Sequence, residues 1–180
     1  MPAISIIILL ILSFQVIPVS LGIDRHKMNV FHVASSIFLL ILGQVLLFLL
    51  GILLGDKFMY LMSGFKRFVL FLGFFIIATR MIMEAFEIRK GKRTYLLNKA
   101  NQFILPSIAQ AVNTFLTGIL FNLLAFNLLK GLIYLSIFSL AFSVPFIFIQ
   151  NEKQSMLAVS LLYMIGGGTL GILSFYFLFI

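Results

Sequence analysis

The chain contains no cysteine and no tryptophan, and only five of its 180 residues are acidic. Without cysteine there is no disulfide framework, thiolate metal site or iron–sulfur ligation. Charged residues of both signs make up 10% of the chain, against roughly 25% in a soluble domain. The chain therefore cannot cover a folded surface with polar groups. No polar stretch exceeds about twenty residues, whereas a compact soluble domain needs some fifty or more. A nucleotide-binding motif is also missing, so any work done by the protein draws on an ion gradient or the membrane potential. Catalysis at a membrane calls for acids, histidines or a serine–base pair in or near the spans. Only Glu84 qualifies, and the reading is that the chain is not an enzyme.

What is present is hydrophobic: 62% of the residues, with a mean hydropathy of +1.19. About 20 helical residues cross the ~30 Å hydrocarbon core. Six segments reach that length, approximately Ile4–Leu21, Val33–Leu54, Phe68–Phe86, Phe103–Leu123, Leu132–Ile149 and Met156–Phe179. Short polar breaks separate them, at 22–27, 55–57, 89–100, 126–130 and 150–154. Barrel strands are shorter, with strict alternation, so the expected fold is an all-α, polytopic membrane protein of six helices. Met1 to Ser5 carries no lysine or arginine, so the basic region of a secretory signal is missing and the first segment is expected to be retained.

The formal charge of +8 would suggest nucleic acid in a soluble chain. Here the basic residues sit mostly in loops, as membrane topology requires, and no aromatic–basic patch accompanies them. No nucleic-acid partner is expected; the lipid bilayer is. Breaks after the first, third and fifth segments hold Arg25, Lys27, Arg89, Lys90, Lys92, Arg93, Lys99 and Lys153. Those after the second and fourth hold Lys57, Lys66, Arg67 and Lys130. The richer side faces the cytoplasm, so both termini are expected outside the plasma membrane, read as a bacterial inner membrane.

The basic loop at 89–100 also divides the chain into repeat one, approximately 1–88, and repeat two, approximately 101–180. Three segments lie on each side. An odd number of spans per half turns the second half upside down relative to the first, the inverted-repeat plan common among secondary transporters. Ser13–Gly22 (SFQVIPVSLG) aligns loosely with Ala111–Leu120 (AVNTFLTGIL), placing Gln15 against Asn113.

Polar side chains inside apolar spans are costly and need a reason. Gln110, Asn113, Thr114 and Thr117 follow the i, i+3, i+4, i+7 stripe of one helical face. They face other helices or a water-filled path; gluing helices together and lining a solute path remain about equally good accounts. In the first segment Pro18 cannot donate to the carbonyl of Phe14, which is expected to be left free beside Gln15. Pro145 is expected to act similarly on Ala141, and Gln44 adds a further buried amide. Gly51-x-x-x-Gly55 and Gly167-x-x-x-Gly171 allow close helix contact. Arg80 and Glu84, four apart on one face, can pair near the cytoplasmic end as a structural or gating pair, a reading favoured over snorkelling of Arg80 to the headgroups. His26 and His32 are read as solvated loop residues.

Ala78–Phe86 (ATRMIMEAF) resembles the Gly-Arg-Met-Ile-x-Glu-Gly-Phe run that ends the third helix of the small six-helix manganese efflux pumps of the MntP type, within the LysE-like transporter group. SFQVIPVSLG and AQAVNTFLTGI resemble that family's aspartate-bearing segments of the first and fourth helices, and the resemblance in length and span number covers the whole chain. It implies a secondary transporter exporting a divalent cation, manganese(II), by alternating access, with no tightly bound cofactor. The substrate path would comprise Gln15, Pro18, Gln44, Gln110, Asn113 and Thr117, with Gln15 and Asn113 facing each other as metal ligands and Arg80–Glu84 as the switch. Both family aspartates, however, fall on amides here, Gln15 and Asn113. An amide- and hydroxyl-lined path also suits export of a small polar solute such as an amino acid, and a non-transporting scaffold subunit is the third reading. Homo-oligomerisation stays open.

Overall fold

The computed structural model of the chain describes residues 2–23, 28–91, 102, 104–124, 126–149 and 153–179. His26 and most of the basic loop, from Lys92 to Lys99, lie outside them. The described chain is helical throughout. Helix α1 (Pro2–Ser13) passes through a 3-10 turn at Phe14–Val16 into α2 (Ile17–Leu21). Helices α3 (Val30–Ser63) and α4 (Lys66–Arg89) follow. Then come α5 (Ile104–Gln110) and α6 (Val112–Phe121), with a closing 3-10 turn at Asn122–Leu124, and finally α7 (Leu128–Phe148) and α8 (Lys153–Phe179). Among the described residues five helical stretches are long and apolar enough to cross a membrane, and the pair α5/α6, bent by 44°, makes a sixth if it is one span.

Two of these elements depart from the expected boundaries for physical reasons. The Gly55-Asp56-Lys57 break lies inside α3, which continues to Ser63. Asp56 and Lys57 are exposed helical residues, and Gly55 is there to admit a neighbouring helix rather than to make a turn. At 34 residues and 1.5 Å per residue, α3 runs to about 51 Å, well beyond the ~30 Å core. Its last turns carry exposed Phe58, Tyr60 and Leu61 beside the charges, the amphipathic composition of a membrane–water boundary. The true turn is at Gly64–Phe65. The break at 126–130 is likewise shorter than its composition suggests. The Asn127 side chain accepts a hydrogen bond from the Lys130 N–H at 3.2 Å and caps α7, so Leu128–Lys130 is already helix.

The α1–α2 span is the most enclosed: 78% of its window is buried, against 22–39% for the other four unbroken spans. It forms the axis around which the bundle is built. Helices α1 and α2 pack on α7, α3 on α5/α6, and α4 on α8, with further contacts of α3 with α7, α4 with α6 and α1 with α8. Ile8, Leu12, Phe48, Phe74, Ile77, Met81, Phe121 and Tyr163 share one buried cluster. Phe38, Leu53, Leu72, Ile76, Leu140, Ile165 and Ile172 point outward, as apolar side chains do against lipid.

Without a hydrophobic force between helices in lipid, close packing and interhelical hydrogen bonds hold them together. Gly51 and Gly118 bring α3 and α6 into backbone contact: a Cβ on Gly118 would lie 2.4 Å from the Phe48 carbonyl oxygen. Asn122 donates from Nδ2 to the Ile52 carbonyl at 2.8 Å, closing the same interface. Between α4 and α8, Gly167 faces Ile82 and the Ala78 carbonyl, and the Ser160 hydroxyl donates to the Ala85 carbonyl at 2.9 Å.

Candidate solute site

Two spans depart from a regular α-helix, the first by a 3-10 turn and the fourth by a bend, each beside its amides. Pro18 has no N–H to bond to residue 14, so the chain tightens instead: the Ile17 N–H donates to the Phe14 carbonyl and closes the 3-10 turn. The expected free carbonyl at Phe14 is therefore occupied, and Pro18 starts the short helix α2, a position its fixed φ suits. In the fourth span the Ala111 N–H is shared between the carbonyls of Ser107 and Ile108, at 3.3 and 3.2 Å, and the axis bends by 44°. The bend falls between Gln110 and Asn113.

The Thr114 hydroxyl connects the two breaks. It lies 3.5 Å from Oε1 of Gln15 and makes a close hydrogen bond with Oε1 of Gln44. Three spans, the first, second and fourth, thus meet at one hydroxyl. Gln15, Gln44, Asn113 and Thr114 are completely buried and Gln110 nearly so. Six side-chain atoms of this group have no protein hydrogen-bond partner: Nε2 of Gln15, Nε2 of Gln44, both polar atoms of Gln110 and both of Asn113. An unmade hydrogen bond at a buried polar group costs about 1–3 kcal/mol, so a concentration of six marks a place where something else supplies the partners.

Gln15 and Asn113 do not hydrogen-bond to each other; Gln15 meets Thr114, the neighbour of Asn113. Thr117 is buried, but its hydroxyl donates to the Asn113 carbonyl of its own helix at 2.9 Å. That leaves only its lone pairs for a ligand. Sequence reasoning passed over the hydroxyls of Ser13, Ser139 and Ser143, all fully buried. Ser139 lies 3.5 Å from Ser13, and Ser143 donates to the Ser139 carbonyl at 2.7 Å. They extend the polar seam from Gln15 toward α7. The i, i+4 spacing of Ser139 and Ser143 near Pro145 was the available signal.

Arg80 and Glu84 pair through Nε and Oε1 at 3.1 Å, the arginine side chain 37% exposed and the carboxylate 5%. Their surroundings form an open groove on the outer face of α4, lined by Phe75, Ile76, Thr79, Met83 and Glu87. None of the amide cluster's hydrogen bonds involves either residue. Among the described residues no three His, Cys, Asp or Glu side chains come together, so a divalent ion at the amide cluster would have only amide, hydroxyl and backbone oxygens as ligands. Exposed His32 lies in the first turn of α3. Comparison of the chain with family models, curated proteins and solved structures gives no match.

Proposed function

We propose that this chain is a small secondary transporter whose solute site is the amide cluster of Gln15, Gln44, Gln110 and Asn113 around Thr114. The observation that carries the reading is the set of six unpartnered polar atoms, buried where the 3-10 turn of the first span meets the bent fourth span. Non-helical backbone and unsatisfied polar groups at membrane depth are tolerated where they line a path, and discontinuous helices commonly form transporter sites.

An inverted repeat is supported by the packing. Exchanging first with fourth, second with fifth and third with sixth spans maps the main contacts onto one another, the α3–α4 contact excepted. The pair α1/α2–α7 becomes α5/α6–α3, α1–α8 becomes α6–α4, and α4–α8 and α3–α7 are unchanged. The alignment of Ser13 with Ala111 also places the 3-10 turn of the first span within three residues of the bend in the fourth. Alternating access then consists of the two halves rocking about the cluster, with Arg80–Glu84 as a pair near the cytoplasmic end. Both termini face outward and the basic loop faces the cytoplasm of a bacterial inner membrane, on the lysine and arginine asymmetry. Manganese(II) and export rest on the resemblance to the manganese efflux pumps alone.

Accessibility tests the reading, and the native chain has no cysteine to interfere. Single cysteines at Asn113, Gln44 and Gln110 should react with a small, water-soluble thiol reagent in intact membranes, while one at buried Leu12 should not. If all three polar positions are as inert as Leu12, the cluster is helix glue and the scaffold reading replaces this one.

A further inference from the structure

We infer that the solute is a small, uncharged molecule of the carboxamide or urea class, an inference that rests on the transporter reading above. The balance of donors and acceptors turns on one proton. The Thr114 hydroxyl sits against Oε1 of both Gln15 and Gln44, yet a hydroxyl donates only once. Turning the Nε2 of Gln15 to the Thr114 oxygen, an isosteric half-turn, resolves the conflict and frees the Gln15 Oε1. The unpartnered set of four nitrogens and two oxygens then becomes three amide nitrogens and three carbonyl oxygens.

That balance has chemical consequences. No ionised side chain belongs to the set, and Glu84, the one buried carboxylate among the described residues, is bonded to Arg80. A bare divalent cation would face three N–H₂ groups that repel it, with no formal negative charge to offset its lost hydration. An anion would meet three carbonyls. A zwitterionic amino acid would bring two full charges into a site that compensates neither. A carboxamide or urea presents a donor and an acceptor side by side, which is the pattern each side-chain amide offers in reverse. Such a solute satisfies the unpartnered groups two at a time and crosses without moving charge, so its flux should not respond to voltage.

The experiment reconstitutes the full chain into liposomes and measures three fluxes: acetamide and urea by light-scattering relaxation, and manganese(II) with an entrapped metal-sensitive dye. Each is repeated with and without an imposed membrane potential. The expected result is saturable acetamide or urea flux above protein-free vesicles, unchanged by potential. Asn113→Leu is the companion variant, because both Asn113 polar atoms lack protein partners and the substitution breaks no side-chain hydrogen bond of the fold. It should raise the half-saturation concentration about tenfold, the order expected for one lost buried hydrogen bond. Potential-dependent manganese flux without acetamide or urea flux overturns the solute class and leaves the transporter reading standing. Water flux alone also overturns it. If no flux is seen, the inference falls, and reactivity of a cysteine at position 113 decides whether the transporter reading falls with it.

Discussion

Gly51 of α3 and Gly118 of α6 meet so closely that a Cβ on Gly51 would lie 3.0 Å from the Gly118 Cα and 2.2 Å from the Phe115 carbonyl oxygen. The contact is backbone to backbone, with no flexible side chain able to yield. It sits one to two helical turns from Gln44 and Thr114, so it sets the separation at which those two side chains bond.

Substitution at this crossing should therefore disturb both stability and the site. Gly118→Ala must move α3 away from α6, and overpacking of this kind costs typically 1–3 kcal/mol. Gly168→Ala is the control, since nothing lies within 4 Å of its Cβ, and it should be neutral or slightly stabilising through helix propensity. Thermal unfolding in detergent, followed by circular dichroism, measures the difference. Equal melting temperatures for the two variants would contradict the close crossing.

Topology is open to direct labelling. Lys90, at the end of α4, is the better probe than Gly91, whose φ of +72° strains any other residue. A cysteine at Lys90 should resist a membrane-impermeant maleimide added to intact cells and react after lysis. One at Tyr60, 90% exposed near the end of α3, should react from outside. The reverse pattern would invert the orientation drawn from the lysine and arginine count.

The Arg80–Glu84 bond is an i, i+4 pair with a partly exposed arginine, so its coupling energy should be small, about 0.5–1 kcal/mol in a double-mutant cycle. A gating role predicts more than this. Arg80→Met should change the rate at which a cysteine at position 113 is labelled from the cytoplasmic side while leaving the melting temperature nearly unaltered. Unchanged labelling would assign the pair to stability or headgroup contact alone.

Charge restoration separates the two solute classes. Gln15→Asp with Asn113→Asp places two carboxylates near Thr114, and hard carboxylate oxygens suit manganese better than amides do. In a manganese-sensitive strain at matched expression, the native chain should give little protection and the double variant more. Full protection by the native chain, abolished by the aspartates, would make the amides themselves the metal ligands.

Much of this architecture is already present in the amino-acid pattern. Apolar runs of membrane-spanning length settle the helical class, and the polar stripe from Gln110 to Thr117 marks the fourth span as unusual. The glycines at 51 and 55 announce a close contact because only an absent side chain permits one. Those features are local, dictated by transfer energy and helical period. Tertiary structure decided what local rules leave open. Gly-Asp-Lys at 55–57 reads as a break, yet it is helical, and Gly55 is needed because the Ile119 backbone lies where its Cβ would be. The bare carbonyl that Pro18 implies at Phe14 is taken by Ile17, because a 3-10 turn can recover a bond that an α-helix loses. Gln15 finds Thr114 rather than Asn113, and Gln44 joins them from a third span, because rotation and depth of a helix are set by its neighbours. In spans apolar on every face, hydrophobic periodicity carries no information about that rotation.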